Sequence, residues 1–162
     1  MSVQLRRATA NDSTTLAKLR HTFRTISDQD LESEADFIAR CSEWMAQRLN
    51  QELWRCWVIE KDDEIVGALW LQIIEKIPNP TAEPEFHAYI TNVFVKESLR
   101  GAGLGSQLLT EALTFCKNYP VHSIILWPSE KSRPLYERHG FSVKSNLLAS
   151  DDLEACRSLR QL

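Results

Sequence analysis

The stretch VFVKESLRGAGLGSQLL, residues 93–109, decides how the rest of the chain is interpreted. An apolar, strand-like run leads through a charged turn to glycines at positions 101, 103 and 105, and a helical pattern follows. The first N–H groups of a helix lack intrahelical partners, and the helix dipole adds about half a positive charge there. Glycine has no Cβ atom to keep a diphosphate away, and Arg100 can add a charge-assisted contact. The stretch therefore predicts an anion-binding turn.

Three classes of turn share part of this pattern. A P-loop requires a Gly-Lys pair, and the sequence contains none. A dinucleotide-binding turn requires GxGxxG, but Ser106 stands at the third glycine position. The next strand also ends in Trp127-Pro128-Ser129 instead of an acidic ribose ligand. A tight turn without any ligand is the third class, and the turn alone does not exclude it.

The whole chain, residues 1–162, is expected to form one α/β domain. Hydrophobic periodicity and turn residues set the predicted elements. We expect a cap at Asn11, Asp12 or Ser13 for a first helix whose apolar face is Leu16, Leu19, Phe23 and Ile26. The predicted order is a strand at Val3 and Leu5, the first helix, a helix over 34–49, a hairpin of 54–60 and 65–74, a loop over 76–86, a strand over 87–95, a helix over 103–119, a strand over 123–127, a helix over 132–140 and a strand over 141–143.

Composition argues against several functional classes. The net charge of -3 gives no field for nucleic acid, and no apolar run is long enough to span a membrane. The beginning of the sequence lacks the apolar core of a signal peptide, so we expect a cytoplasmic protein. The four cysteines, Cys41, Cys56, Cys116 and Cys156, are far apart and form no CxxC pair, so we expect neither a metal site nor disulfides.

When the second half of the chain is also considered, the sequence resembles the GNAT superfamily of acetyl-CoA-dependent N-acetyltransferases. VFVKESLRGAGLGSQLL is similar to that family's strand, pyrophosphate loop and helix, and SEKSRPLYERHGF is similar to its final helix. LRRATANDS and CWVIEKDDEIVGALWL add weaker support, so that the resemblance covers about residues 3–143. It implies an α/β, GNAT-like fold with a mixed, mostly antiparallel sheet of six or seven strands flanked by helices.

The resemblance also implies a site for acetyl-CoA as co-substrate. Val93, Phe94 and Val95 would offer backbone groups to the pantetheine arm, as an added strand does. Tyr136 would act as the general acid near the thioester sulfur, since a phenol stays protonated at neutral pH and can donate to the leaving thiolate. The pyrophosphate would be held by Arg100, Gly101, Ala102, Gly103, Leu104, Gly105 and Ser106.

The sequence departs from the family pattern at three places. Thr91 and Asn92 stand where many members carry a glutamate base in the strand, and neither can accept the proton. Ser129 replaces an asparagine seven residues before Tyr136 but can still hydrogen-bond the cofactor. A last strand is not clear from Lys144 onward, where the tail reads as helix or strand.

The general base therefore stays open. A lysine-like amine with a pKa of about 10.4 is neutral in only about one molecule in 2500 at pH 7, a deficit of about 4.6 kcal/mol. Strand periodicity puts His87, Tyr89 and Thr91 on one face. We expect His87, or alternatively Glu85 or Glu83 from the preceding loop, to accept the proton through water.

The acceptor is predicted to be a small cationic amine, because acidic and aromatic side chains suit a cation. These groups are Glu43, Trp44, Trp54, Glu83 and Glu85. A protein or peptide amine is an alternative acceptor, and a non-catalytic acyl-CoA-binding sensor is an alternative function. The sequence leaves the oligomeric state open, with a homodimer as one option.

Overall fold

The structure is a computed structural model that describes residues 3–24 and 32–144. The predicted face residue Ile26, Cys156 and the tail from residue 145 onward lie outside the described residues. The strands are β1 (Val3–Arg7), β2 (Trp54–Lys61), β3 (Glu64–Glu75), β4 (Phe86–Val95) and β5 (Val121–Ile125), and the α-helices are α1 (Ser13–Arg24), α2 (Glu34–Leu49), α3 (Leu104–Lys117) and α4 (Arg133–Arg138).

The described strands form one sheet whose spatial order follows the chain, from β1 to β5. β1 to β4 pair antiparallel, and β5 pairs parallel to β4. Parallel pairing requires a crossover, which α3 provides. The mixed, mostly antiparallel α/β fold is thus confirmed.

The predicted count of six or seven strands is wrong for the described residues, which form five. The expected strand over 141–143 has no strand partner among them. The Phe141 N–H instead donates to the Tyr136 carbonyl oxygen (3.1 Å), and the Phe141 ring packs against the Tyr136 ring with centroids 5.9 Å apart. Val143 is 80% exposed. Residues 141–143 therefore follow the end of α4, where Phe141 contacts Tyr136, and do not extend the described sheet.

The sheet separates two apolar clusters, because successive side chains of a strand point to opposite faces. One face packs Leu69, Leu71 and Ile90 against α3 and Tyr136. The other packs Ala68 and Trp70 against α1 and α2. The two helical layers therefore approach β4 from opposite sides.

The helix ends follow local capping chemistry. α2 begins at Glu34, as predicted, and the Ser33 hydroxyl accepts a hydrogen bond from the Asp36 N–H (3.1 Å). Ahead of α1, the Asp12 carboxylate accepts from the Thr9 N–H (2.7 Å), which stabilises a 3₁₀ turn over Ala10–Asp12. Among the described helices, none combines the length and apolar character that a membrane crossing requires.

Candidate functional site

The glycine turn joins β4 to α3 in a backbone conformation that favours glycine. Gly101 and Gly103 have φ angles of +84° and +78°, in the left-handed region. A Cβ atom built on either residue would meet no heavy atom within 4 Å. The space over the turn is therefore open, and glycine is required there by the backbone and not by crowding within the protein.

The first turn of α3 presents unpaired backbone donors to that space. Gly103 is the N-cap and provides no side-chain cap, and Gln107 makes the first intrahelical bond, to the Gly103 carbonyl oxygen (3.1 Å). The N–H groups of Leu104, Gly105 and Ser106 therefore lack intrahelical partners. With the helix dipole, these groups attract an anion.

Arg100 lies beside the turn with a half-exposed side chain. Its Nε donates to the Val95 carbonyl oxygen (3.2 Å), and its Nη1 lies 3.6 Å from Glu97 Oε1. The guanidinium group thus remains at the end of β4, next in sequence to the glycine turn.

β4 and β5 separate before β4 reaches the turn. Their pairing ends at Tyr89 and Ile125, while β4 continues to Val95. Between Thr91 and Phe94, Asn92 and Val93 together oppose only Leu69 of β3. This is a β-bulge, which bends a strand and sharpens its twist. The β5-facing edge of residues 90–95 consequently has no strand partner among the described residues.

Asn92 at this bulge has a φ angle of +50°, one of three positive values among described non-glycine residues. Asparagine tolerates that region better than most residues. Its Oδ1 accepts a hydrogen bond from Arg20 Nη1 of α1 (3.0 Å). The sequence did not reveal this pair, because an isolated polar residue in a strand carries no signal for a bulge.

Tyr136 lies in α4, which packs against the start of α3. A Cβ atom at Gly105 would come within 3.4 Å of Leu135 Cδ2, and Tyr136 itself is 7% exposed. Burial raises the pKa of the Tyr136 phenol above its usual value. Its hydroxyl has no hydrogen-bond partner within the described ranges. The structure therefore brings Tyr136 to the helix layer that carries the glycine turn and leaves its proton available.

Ser129 precedes α4, and its side chain contributes to the turn that begins this helix. Its Oγ lies 2.9 Å from Ser132 Oγ and accepts from the Ser132 N–H (3.3 Å). Contact between Ser129 and a cofactor stays a prediction.

The base candidates gather at the other end of β4. His87 pairs with Ser123 of β5, with Nδ1 2.6 Å from the Ser123 hydroxyl oxygen. Burial, followed by the charges of Lys76 and His122, lowers the pKa of His87. Val93 is six residues further along the strand, about 20 Å at ~3.3 Å per residue. His87 thus favours its neutral form and lies near the end of β4 that is away from the glycine turn.

The loop glutamates have their own contacts. Glu83 bonds Lys76 Nζ (2.9 Å) and Asn79 Nδ2 (2.6 Å), and these bonds hold its pKa below the usual value. Glu85 is exposed, and its carbonyl oxygen accepts from the Lys76 N–H (2.7 Å). The assignment of His87, Glu83 or Glu85 as base stays a prediction.

The aromatic groups predicted to bind the acceptor form a packed cluster. The rings of Trp44 and Trp54 lie 5.1 Å apart, and both contact Trp70. The Arg48 guanidinium lies 4.6 Å from the Trp44 ring centroid, where a cationic ligand would bind. Glu43 accepts from Gln47 on the same helix (3.4 Å). The cluster therefore contributes packing and already holds a cation.

Known acetyltransferases are similar to this chain in sequence. A glucosamine 6-phosphate N-acetyltransferase of Trypanosoma brucei brucei is 34% identical over 54% of this chain and 57% of its own length. A phosphinothricin acetyltransferase described as putative, YwnH of Bacillus subtilis, is 34% identical over 40% of this chain and 37% of its own. The chain thus spans well under two thirds of either. An acetyltransferase structure from Trypanosoma brucei is 26% identical, covers 93% of this chain and 100% of its own, and has a TM-score of 0.65.

The fold recurs in solved structures of lower identity. A predicted acetyltransferase from Clostridium acetobutylicum, crystallised with acetyl-CoA, has a TM-score of 0.77 at 22% identity and covers 94% of this chain and 98% of its own. The model of the acetyltransferase (GNAT) family matches residues 16–141, which include the glycine turn, Tyr136 and the β4 bulge. The chain therefore belongs to the GNAT acetyltransferase family.

Proposed function

We propose that this protein is an acetyl-CoA-dependent N-acetyltransferase that acetylates a primary amine of a small molecule by direct attack in a ternary complex. One observation carries the proposal: the unpaired half of β4 leads into an open, uncapped glycine turn, and the helix of Tyr136 packs beside it. These features provide a strand edge, an anion site and an acid side by side.

The residues present fit acetyl-CoA. The free edge of β4 at Val93, Phe94 and Val95 offers backbone groups to an extended pantetheine chain. The open space over Gly101 and Gly103 and the uncapped N–H groups that follow suit a diphosphate, with Arg100 beside them. When bound, acetyl-CoA supplies an activated acyl carbon and a thiolate leaving group.

Tyr136 is proposed as the proton donor. Its hydroxyl is not shared with another described side chain, and burial raises the pKa of the phenol, so Tyr136 Oη keeps its proton at neutral pH. Donation from Oη neutralises the sulfur as it leaves. General acids of this kind contribute about 10²- to 10⁴-fold in rate.

The amine must lose a proton, and His87 lies near the end of β4 that is away from the glycine turn. We propose that His87, or Glu85 or Glu83 in its place, accepts this proton through water. An amine of lower pKa relieves the requirement: an α-amino group with a pKa of about 8 is neutral in about one molecule in ten at pH 7. If His87→Ala leaves the pH–rate profile unchanged, His87 is not the base, and Glu85→Gln tests the alternative.

A small-molecule acceptor is supported by the names of the relatives, one of which acts on glucosamine 6-phosphate. A further cationic group on the acceptor has less support, because Arg48 covers Trp44 and Glu83 is paired with Lys76. We therefore propose that the acceptor is a small-molecule primary amine that need not carry a further cationic group.

The test is release of free CoA thiol from acetyl-CoA over a panel of small amines and lysine peptides, with the acetylated product identified by mass spectrometry. Turnover of small amines, slowed about 100-fold or more in Tyr136→Phe, supports the proposal. Turnover of peptides alone would indicate a protein acetyltransferase. Binding of acetyl-CoA without turnover of any amine would indicate a cofactor sensor.

A further inference from the structure

Arg20 of α1 places a half-buried cation against the bulge of β4. Its Nη1 donates to Asn92 Oδ1 (3.0 Å), which connects α1 to the point where β4 turns away from β5. Asn92 is a neutral partner that satisfies one of the five N–H donors of the guanidinium group. No other hydrogen bond of the Arg20 side chain is found within residues 3–24 and 32–144.

The charge of Arg20 is not neutralised by a carboxylate of the described part of the chain. Arg6, in contrast, bonds both Asp12 and Glu60, and Arg40 bonds Glu32. The pKa of Arg20 is lowered by burial and, to a smaller extent, by the positive charge of Arg24. Arginine still remains charged, and a half-buried charge without a counter-ion loses part of its hydration. Arg20 therefore has N–H donors left over for an anion, and no carboxylate of the described residues bonds them.

The position of Arg20 assigns this anion to the acceptor side of the proposed reaction. Trp70, which packs with α1, pairs with Thr91, so Tyr89 and Thr91 of β4 share the α1 face. Tyr136 and α3 pack on the opposite face. The exposed Trp127 ring contacts Tyr89 edge-on at 5.0 Å, at the point where the pairing of β4 with β5 ends. A ligand that enters between β4 and β5 from the α1 side meets Arg20.

We propose that Arg20 binds an anionic group, a carboxylate or a phosphate, carried by the acceptor amine, so that the substrates are amino acids or amino-sugar phosphates and not simple amines. This inference rests on the proposed acetyltransferase function and defines its substrate class. The planar guanidinium group suits both anions, because its parallel N–H bonds match two oxygen atoms of either group.

The test compares acceptors with and without the anionic group, and each rate is corrected for the fraction of the amine that is neutral, because loss of the carboxylate also lowers the pKa of the α-amine. Glucosamine 6-phosphate is compared with glucosamine for the phosphate, and L-methionine with L-methioninamide for the carboxylate. We expect at least one anionic member to have a kcat/KM roughly 10- to 100-fold above its neutral partner, and Arg20→Gln to remove that preference. Arg20→Lys keeps the charge without the planar fork and should restore part of it.

Lys18→Gln is the matched control, since it removes an exposed positive charge from the same helix. It should leave the preference intact. Equal turnover of both members of each pair, an equal loss on both in Arg20→Gln, or a rise only in the KM for acetyl-CoA would overturn the inference.

A binding measurement separates this inference from the proposed function. If no amine is acetylated, the proposed function fails, and the Arg20 site is judged by thermal melts with saturating CoA. Stabilisation of the wild-type protein by glucosamine 6-phosphate or methionine, absent in Arg20→Gln, would support an anion site. No stabilisation by either would reject it.

Discussion

Substitution of Gly103 by alanine should have two separate effects, one on stability and one on the binding of acetyl-CoA. Its φ angle is +78°, and a Cβ atom there would meet no protein atom within 4 Å. Gly103→Ala therefore adds only backbone strain to the free protein, about 1–2 kcal/mol for a non-glycine residue in the left-handed region. For a domain of this size the melting temperature should fall by about 2–8 °C. In the complex, the methyl group occupies the space proposed for the diphosphate, so acetyl-CoA should bind at least about tenfold more weakly, or ~1.4 kcal/mol.

Gly140→Ala is the matched control for this experiment. Gly140 has a φ angle of +86°, and its Cβ would also meet nothing within 4 Å, but it follows α4 and lies outside the glycine turn. Calorimetric titration with acetyl-CoA and a melting curve are measured for both variants. Equal loss of stability with weaker binding in Gly103→Ala alone is the expected result. Unchanged affinity in Gly103→Ala, or equal weakening in both, would refute the assignment of the turn.

Three further predictions concern the acid, the pH response and the start of α1. Tyr136→Phe should lower kcat about 100-fold or more and leave the Kd for acetyl-CoA and the melting temperature nearly unchanged, because the hydroxyl has no described partner to lose; a normal kcat would remove Tyr136 from the mechanism. The folded-state pKa of His87 lies below its usual 6.5, so the contribution of His87 to stability is present above pH 6.5 and is lost as the pH falls through the folded value. The melting temperature should therefore fall between pH 7.5 and 5, and by less in His87→Gln. An identical fall in both proteins would contradict this. Asp12→Asn should lower the free energy of unfolding by about 1–2 kcal/mol, as measured by urea denaturation, because Asp12 bonds both Arg6 and the Thr9 N–H. An unchanged midpoint of denaturation would show that these bonds do not stabilise the fold.

The elements with strong local patterns could be predicted from the sequence. α2 follows a repeat of apolar residues at helical spacing and occupies the predicted range, Glu34–Leu49. The hairpin of β2 and β3 follows two β-branched and aromatic runs around a polar turn at Asp62 and Asp63, which adopt positive φ. The glycine turn was predicted because glycine at alternate positions before a helix permits left-handed backbone conformations and lets the backbone approach an anion.

Features that depend on tertiary pairing were not predictable. The strand expected over 141–143 has suitable residues, but the Phe141 N–H bonds the Tyr136 carbonyl oxygen at the end of α4, and the segment pairs with no strand within the described residues. β5 itself begins at Val121, earlier than predicted, because its register is set by pairing with Phe86–Tyr89. The bulge at Asn92 and its bond to Arg20 join residues 72 positions apart. No local sequence pattern indicates a contact between residues so far apart in the chain.

The most direct measurement is a thermal melt of the protein with acetyl-CoA, and with NADH and ATP as alternative phosphate ligands. At a hundred times its Kd, a ligand of the native state adds about 2.7 kcal/mol. For a domain of this size that corresponds to a rise of about 5–10 °C. The account predicts this rise with acetyl-CoA and not with NADH or ATP. No rise with acetyl-CoA, or a larger rise with NADH, would contradict the assignment of the glycine turn and the open edge of β4 to acetyl-CoA.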